Sequence, residues 1–179
     1  MESVNIRDYS RLLAFFTLYA YDIDIEAFSG IDSFDWYEEA SLFEKDDVLP
    51  VIPEAIKREV YHFAREMVSG TLSNLARIDR QIEEFLVNWK FERLLPVDKA
   101  ILRLGVYSLM YRFDIPCEVT IFECNELANE FSDDNTYKYI NGILHNVKLR
   151  FRRNFLMDKI HPAIPAPKKK FKIKRTGSA

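Results

Sequence analysis

Apolar residues recur every three or four positions along most of this chain, which is the spacing of helices that bury one face. Near the N-terminus, this pattern predicts a helix from about Asn5 to Asp22. Pro53 suits the first position of the next long helix, and Gly70 is expected to end it. A further amphipathic helix is predicted from six apolar residues at the same spacing: Leu75, Ile78, Ile82, Phe85, Leu86 and Trp89.

The segment from Gly30 to Pro50 is acidic and weakly periodic, so at most a short helix is predicted there, from Phe34 to Phe43. Farther along the chain, Pro96 opens a helix. Pro116 separates that helix from another one, which is expected to end near Phe131. The pattern thus predicts a chain built from helices.

Two apolar runs in the C-terminal half each carry one glycine, Gly105 and Gly142, where a helix ordinarily avoids it. An Asn-Gly pair between apolar residues is also a hairpin signal. The helical face nevertheless continues through this pair, in Ile140, Leu144, Val147, Phe151 and Phe155. We therefore predict two closely packed buried helices, the second running to about Phe155 after a polar capping turn at Ser132–Asn135. Gly142 is expected to be a contact point at which another helix approaches.

The net charge of −3 conceals two segments of opposite charge. Residues 1–147 hold 14 basic and 27 acidic side chains, a net charge of −13, whereas residues 148–179 hold eleven basic and one acidic, a net charge of +10. The acidic part should repel nucleic acid except where basic groups cluster, and should attract a basic protein. We expect residues 1–157 to form one helical domain. Residues 158–179 are predicted to be a proline-containing linker and a disordered basic tail.

The residues that carry chemistry in other proteins are scattered. Cys117 and Cys124 are too far apart for a disulfide within one unbroken helix and are expected to be reduced thiols of a cytoplasmic protein. The sequence has no His-Glu-x-x-His motif and no glycine-rich phosphate loop, so we predict no enzyme activity, no cofactor and no metal site. The apolar stretch Leu12–Tyr21 imitates a secretion signal but has acidic neighbours and no cleavage site, and no membrane span is predicted.

Four sequence elements follow one another in a fixed order: Arg11-x-x-Ala14-x-x-x-Leu18-Tyr19, Val97-Asp98-Lys99-Ala100-Ile101-Leu102-Arg103-Leu104-Gly105, Pro116-x-x-Val119-x-Ile121-x-Glu123-x-x-Glu126-Leu127-Ala128 and Lys138-Tyr139-Ile140-Asn141-Gly142-Ile143-Leu144. With these elements, residues 6 to 155 resemble the NusB family of bacterial transcription antitermination factors. The resemblance implies an all-α fold of about seven helices in two sub-bundles. It also implies a non-enzymatic protein that binds the boxA element of nascent ribosomal RNA together with a ribosomal protein, NusE, in the transcription elongation complex.

The resemblance changes how two arginines of the first helix are interpreted. Arg7 and Arg11 lie four residues apart, so they share a helix face where they are either solvated beside Asp8 or able to clamp successive phosphates. Members of the family carry an arginine-rich arm at this place. The resemblance therefore implies that Arg7 and Arg11 contact RNA.

Further RNA contacts are implied at two aromatic positions. Tyr19 and Tyr139 are either core residues or platforms on which unpaired bases stack. Family members place a Lys-aromatic pair where Lys138 precedes Tyr139. Asn135 matches a position that is acidic in some members and borders the same surface, and its neutral amide would repel phosphate less.

The helix that begins at Pro96 provides the implied site for the protein partner. Asp98 and the adjoining turn, including Ile101, match the part of the family surface used for the ribosomal protein. Asp98 is equally explained by the positive end of its helix. Three positions depart from the family pattern, namely Ser108, Phe122 and His145. The alternative function is accordingly a protein-interaction module of the same fold that has lost specific RNA binding.

Overall fold

The structure is a computed structural model that describes residues 6–24, 33–38, 51–87 and 89–152. Its helices are α1 (Ile6–Ile23), α2 (residues 35–38), α3 (Glu54–Ser73), α4 (Leu75–Phe85), α5 (Pro96–Tyr111), α6 (Cys117–Phe131) and α7 (Asp134–Phe151), with a 3-10 turn at Phe91–Arg93. These residues contain no strand, so the predicted all-α fold of about seven helices is confirmed. The predicted linker and basic tail lie outside the described residues.

Helix α5 is the centre of the molecule. All residues from Ala100 to Met110 are buried, because α5 packs against α1, α3, α4, α6 and α7. A helix that is apolar on nearly every side requires such complete coverage. Helices α1 and α3 pack on one another, while α6 and α7 pack together and α4 contacts α7. The molecule therefore consists of two sub-bundles that meet along α5.

Gly105 and Gly70 allow close contacts in this core. A Cβ atom on Gly105 would lie 2.8 Å from Cys124 Sγ and 2.8 Å from Leu144 Cδ2, so this glycine brings α5 close to α6 and α7. A Cβ atom on Gly70 would lie 2.0 Å from the Tyr107 hydroxyl oxygen. The prediction that Gly70 ends its helix is wrong, since α3 continues to Ser73 and packs Tyr107 over the glycine.

Gly142 behaves differently from these two glycines. It is exposed, and apart from its chain neighbours and the backbone of its own helix, a Cβ atom built on it would meet no atom of the described residues within 4 Å. The predicted buried face of α7 is confirmed at Ile140, Leu144 and Val147, and Gly142 lies on the opposite side of the helix. The prediction that Gly142 is a contact point between helices is therefore wrong.

The predicted ends of α1 and α6 agree with the structure, whereas α4 and α7 end earlier than predicted, α7 at Phe151. Helix α6 ends at Phe131 as expected, and the capping turn before α7 is present. There the Asp133 carboxylate Oδ1 accepts hydrogen bonds from the Thr136 backbone N–H at 2.9 Å and from its hydroxyl at 3.0 Å. Helix α4 ends at Phe85, however, so Trp89 lies in the linker to α5 and does not extend the helix.

Two buried arginines join α5 to the helices around it, one from its middle and one at its C-terminal end. The Arg103 guanidinium donates hydrogen bonds to Asp22 Oδ1 at 2.7 Å and to Asp79 Oδ1 at 2.8 Å, which joins α5 to the end of α1 and to α4. At the C-terminal end of α5, Arg152 donates to the backbone carbonyl oxygens of Leu109 and Ser108 at 2.8 and 3.1 Å. Carbonyl groups at a helix end have no partner within the helix, and Arg152 satisfies them while anchoring the end of α7.

Candidate nucleic-acid and partner interface

The two arginines predicted to clamp phosphates have different surroundings. Arg7 is about half exposed, and its Nη1 lies 3.9 Å from Asp114 Oδ2. Its guanidinium carbon also lies 4.3 Å from the centroid of the Phe63 ring, a cation–π arrangement that holds the charge at the surface. Arg11 is only 6% exposed. Of the predicted pair, Arg7 alone is presented to solvent.

Arg11 is directed into the interior, toward α6. Its Nη1 lies 3.4 Å from Oε1 of Glu123, which is itself mostly buried. Burial raises the pKa of the Glu123 carboxyl, while the Arg11 charge opposes this shift. Arg11 therefore joins α1 to α6, and the direct phosphate contact predicted for it is not available in this conformation because its guanidinium is covered.

Tyr19 lies at the other end of α1, about 18 Å from Arg7 along the helix axis. Its half-buried ring stacks near Phe15, with centroids 6.4 Å apart. Phe15 in turn packs against Phe131 at the end of α6, with centroids 4.9 Å apart. Tyr19 therefore has a mixed environment, in which one part of its ring packs and another part remains accessible.

The first turns of α7 carry three predicted RNA contacts. Lys138 is exposed and Tyr139 is half-buried. The Tyr139 hydroxyl is buried and has no hydrogen-bond partner among the described residues. Burial and the charge of Asp98 raise the pKa of Tyr139 to about 12, so the phenol stays neutral at physiological pH. Asn135 lies in the first turn of α7, and its side chain is outside the described part of the chain.

Neither residue predicted to contact the protein partner is accessible. Asp98 is 3% exposed, and its carboxylate Oδ1 accepts a hydrogen bond from the Ser132 hydroxyl at 2.7 Å. Burial raises the pKa of Asp98, whereas the Ser132 hydrogen bond opposes this shift. Ile101 is completely buried in the core, so its side chain is not presented at the surface of the free protein. Both side chains position the start of α5.

The exposed residues in this region are in the linker before α5, and sequence reasoning missed them. Val87, Trp89 and Leu95 are 77%, 54% and 55% exposed. The linker is held in place by Phe91, whose ring centroid lies 5.5 Å from Lys99 Nζ and 5.5 Å from Arg103 Cζ. Neighbouring exposed apolar side chains are typical of protein-binding surfaces. Because Trp89 continues the helical spacing of α4, the sequence pattern did not distinguish it as an exposed linker residue.

The structure brings two of the predicted RNA residues to the same end of the molecule. Phe131 packs against Phe15, whose ring also stacks with that of Tyr19. The next residue, Ser132, donates a hydrogen bond to Asp98. The charge of Asp98 in turn raises the pKa of Tyr139. Tyr19 and Tyr139 are therefore connected through a short series of contacts. Arg7 lies at the opposite end, beside Asp114 in the connection between α5 and α6.

Other features in question in the part of the chain that the structure describes are a disulfide, a reactive cysteine, a metal site and a membrane-spanning helix. Cys117 and Cys124 are buried and are not joined in a disulfide. Burial raises the pKa of the Cys124 thiol to about 12, which makes it a poor nucleophile. Over the same residues, there is no group of three His, Cys, Asp or Glu side chains suited to a metal ion. None of the described helices combines the length and apolarity needed to cross a bilayer.

Comparison with known proteins places this arrangement in a family. The model of the NusB family matches residues 8–148, a range that includes every predicted site residue except Arg7. The transcription antitermination protein NusB of Treponema denticola is 38% identical over 138 residues, which are 77% of this chain and 92% of that protein. The corresponding Bacillus subtilis protein is 44% identical over 86 residues, 48% of this chain and 66% of that protein.

Solved structures agree with this assignment. T. maritima NusB has a TM-score of 0.62 and 29% identity, covering 83% of this chain and 92% of that one. The crystal structure of the antitermination factors NusB and NusE in complex with dsRNA has a TM-score of 0.65 and 21% identity, covering 83% of this chain and 100% of that one, which shows a common fold. From the family match and these relatives, the chain belongs to the NusB family of transcription antitermination factors, which are not enzymes.

Proposed function

We propose that this protein binds boxA-type RNA together with a NusE-like ribosomal protein during transcription of ribosomal RNA. The observation that carries the proposal is the match to the NusB family over the elements that present Lys138 and Tyr139 at the start of α7. A structural neighbour that contains NusB, NusE and dsRNA supports the same pairing of partners.

The RNA is expected to bind at both ends of α1 and at the start of α7. Tyr19 and Tyr139 offer half-buried rings on which unpaired bases can stack. Lys138 supplies an exposed positive charge next to Tyr139 in the sequence. Asn135, in the first turn of α7, has a neutral amide and does not repel phosphate as a carboxylate would. Arg7 provides a separate phosphate contact at the far end of α1. In this proposal Arg11 supports α1 from within by its ion pair with Glu123.

The ribosomal protein is expected to bind the linker before α5 and the first turn of that helix. The exposed side chains of Val87, Trp89 and Leu95 provide the apolar part of this surface. Asp98 and Ile101 hold the turn from inside the protein. The net charge of −13 over residues 1–147 favours approach of a basic partner, and the same charge weakens RNA binding by the protein alone.

The test is a titration of labelled boxA-type RNA with the full chain, in the presence and absence of the ribosomal protein. We expect weak binding alone and tighter binding with the partner, and RNA must then raise the affinity for the partner by the same factor. Equal RNA affinity with and without the partner would contradict joint binding. Partner binding without any RNA binding would instead support the alternative function, an interaction module that has lost its RNA site.

A matched pair of variants locates the RNA surface. Lys138→Gln removes one exposed charge at the start of α7 and should weaken RNA binding and lower its salt dependence. Arg58→Gln removes one exposed charge from α3, outside the proposed surfaces, and should have a smaller effect. Equal effects of the two variants would show that only net charge matters.

A further inference from the structure

Gly142 has no structural reason to be glycine within the described protein. Glycine in the middle of a helix is unfavourable relative to alanine because it loses more backbone entropy on folding. The space of a Cβ atom is occupied by Tyr107 at Gly70, and by the side chains of Cys124 and Leu144 at Gly105. Gly142 faces open space instead. An exposed helical glycine is useful where something outside the chain must approach the helix backbone closely.

The residues around Gly142 form a continuous outer face of α7. Lys138 lies one turn before Gly142 and His145 lies about one turn after it, and all three are exposed. They lie opposite the buried face that contains Ile140 and Leu144. We call the surface formed by Lys138, Gly142 and His145 the α7 ridge.

The chemistry of the ridge is cationic and polar. Residues 136–152 include four Lys and Arg side chains and no Asp or Glu. Three of these cations have partners in the structure: Lys148 pairs with Glu118, Arg150 with Glu84, and Arg152 with backbone carbonyls. Lys138 is exposed and forms no ion pair within 4 Å among the side chains that the structure describes.

The side of the ridge adds amide groups. Asn141 follows the ridge toward α6, where its Oδ1 accepts a hydrogen bond from Asn125 Nδ2 at 2.8 Å. The Asn125 Oδ1 is buried and has no partner in the described part of the chain. Beside Gly142, the described surface therefore carries the charge of Lys138 and the partly exposed amide of Asn141. The carboxylate of Glu118 is paired with Lys148.

We propose that the α7 ridge is a docking surface for the sugar–phosphate backbone of the bound RNA, with Gly142 as the point of closest approach. This inference rests on the proposed function and extends the RNA path from Lys138 along α7 to His145. Charge complementarity favours RNA over a basic ribosomal protein, because Lys138 attracts phosphate and would repel a basic partner. The absence of a side chain at Gly142 lets a ribose or phosphate reach the helix surface between the two flanking side chains.

The experiment uses Gly142→Ala in the full chain, with the ribosomal protein present and a labelled boxA-type RNA as the probe. A methyl group at this exposed position should raise the melting temperature, since alanine is the better helix former. It should also weaken RNA binding, by roughly fivefold or more, a change equivalent to about 1 kcal/mol. A variant that is more stable yet binds RNA less well cannot be explained by a damaged fold.

Ser69→Ala is the matched control, because it also places alanine at an exposed, uncharged helical position, on α3. It should leave RNA affinity unchanged. His145→Gln tests the far end of the ridge and should weaken RNA binding without changing affinity for the ribosomal protein in the absence of RNA.

The outcomes separate this inference from the proposed function. If the wild-type protein binds RNA and Gly142→Ala binds it equally well, the ridge proposal is overturned and the proposed function stands. If Gly142→Ala weakens binding of the ribosomal protein but not of RNA, the ridge is a protein surface and the proposal is likewise overturned. If the wild-type protein fails to bind RNA with the partner present, both proposals fail.

Discussion

The Arg11 guanidinium on α1 lies 3.4 Å from the Glu123 carboxylate on α6, and both groups are largely covered by the protein. A charge removed from water is tolerated when an opposite charge faces it, and it becomes costly when that partner is lost. This pair therefore joins the N-terminal helix to the second sub-bundle. It also explains why an arginine at this position need not touch RNA to be required by the protein.

Arg11→Ala should lower the free energy of unfolding by about 3 kcal/mol, because it leaves the buried Glu123 carboxylate without its partner. Chemical denaturation at neutral pH measures the change. Adding Glu123→Gln to Arg11→Ala should restore part of the loss, since the amide carries no charge. Arg7→Ala is the control and should change stability by at most about 1 kcal/mol, as expected for an exposed ion pair. A double variant as unstable as the single one would contradict this account.

Gly105→Ala should destabilise the protein by about 1–3 kcal/mol, because the new methyl group would overlap Cys124 Sγ and Leu144 Cδ2. Thermal denaturation provides the measurement. In the Cys124→Ala background, where the sulfur is absent, the same substitution at Gly105 should be less harmful. An equal loss in both backgrounds would show that the contact with Cys124 does not limit the space at Gly105.

Asp98→Asn should alter how stability depends on pH. Burial raises the pKa of Asp98 in the folded protein, so the folded state binds a proton more tightly than the unfolded chain does. The wild-type protein therefore loses stability from this group as the pH rises above the unfolded value of about 3.9. The variant lacks this loss, so its stability relative to wild type should increase between acidic and neutral pH.

Asp114→Asn is the control for the preceding prediction, because the pKa of Asp114 is lowered in the folded protein whereas the pKa of Asp98 is raised. The hydrogen bond from Arg112 lowers the pKa of Asp114, so its carboxylate stabilises the folded protein above the unfolded pKa and this benefit disappears as the pH falls. Relative to wild type, the stability of Asp114→Asn should therefore be lowest at neutral pH. Thermal denaturation of both variants over a pH series tests the pair, and parallel pH profiles for all three proteins would refute the assignment.

Trp89→Ala should weaken binding of the ribosomal protein by about 2 kcal/mol, because large aromatic residues dominate many interfaces. The side chain is 54% exposed in the free protein, so the melting temperature should change little. Val51→Ala removes another exposed apolar side chain, outside the proposed surface, and should leave the affinity unchanged. Calorimetric titration without RNA compares the two variants, and equal affinities would remove Trp89 from the partner surface.

Much of the fold was determined locally by the sequence. The 3.6-residue period of apolar side chains is a property of each segment, so the buried faces of α5 and α7 and the end of α6 at Phe131 were predictable. Pro96 and the capping residue Asp133 mark helix starts because their effects are confined to one turn. Family membership was likewise visible in the order of four short elements, since no long-range packing is needed to recognise them.

Only the tertiary structure decided what individual positions face. Gly70, Gly105 and Gly142 look alike in the sequence, yet two of them accommodate neighbouring side chains and the third is open to solvent, because the angle at which helices pack is set by contacts far apart in the chain. For the same reason, the spacing of Arg7 and Arg11 could not reveal that Arg11 is buried against Glu123 while Arg7 remains exposed. Helical periodicity defines which residues share a face, whereas the neighbouring helices determine whether that face is buried or available to a partner.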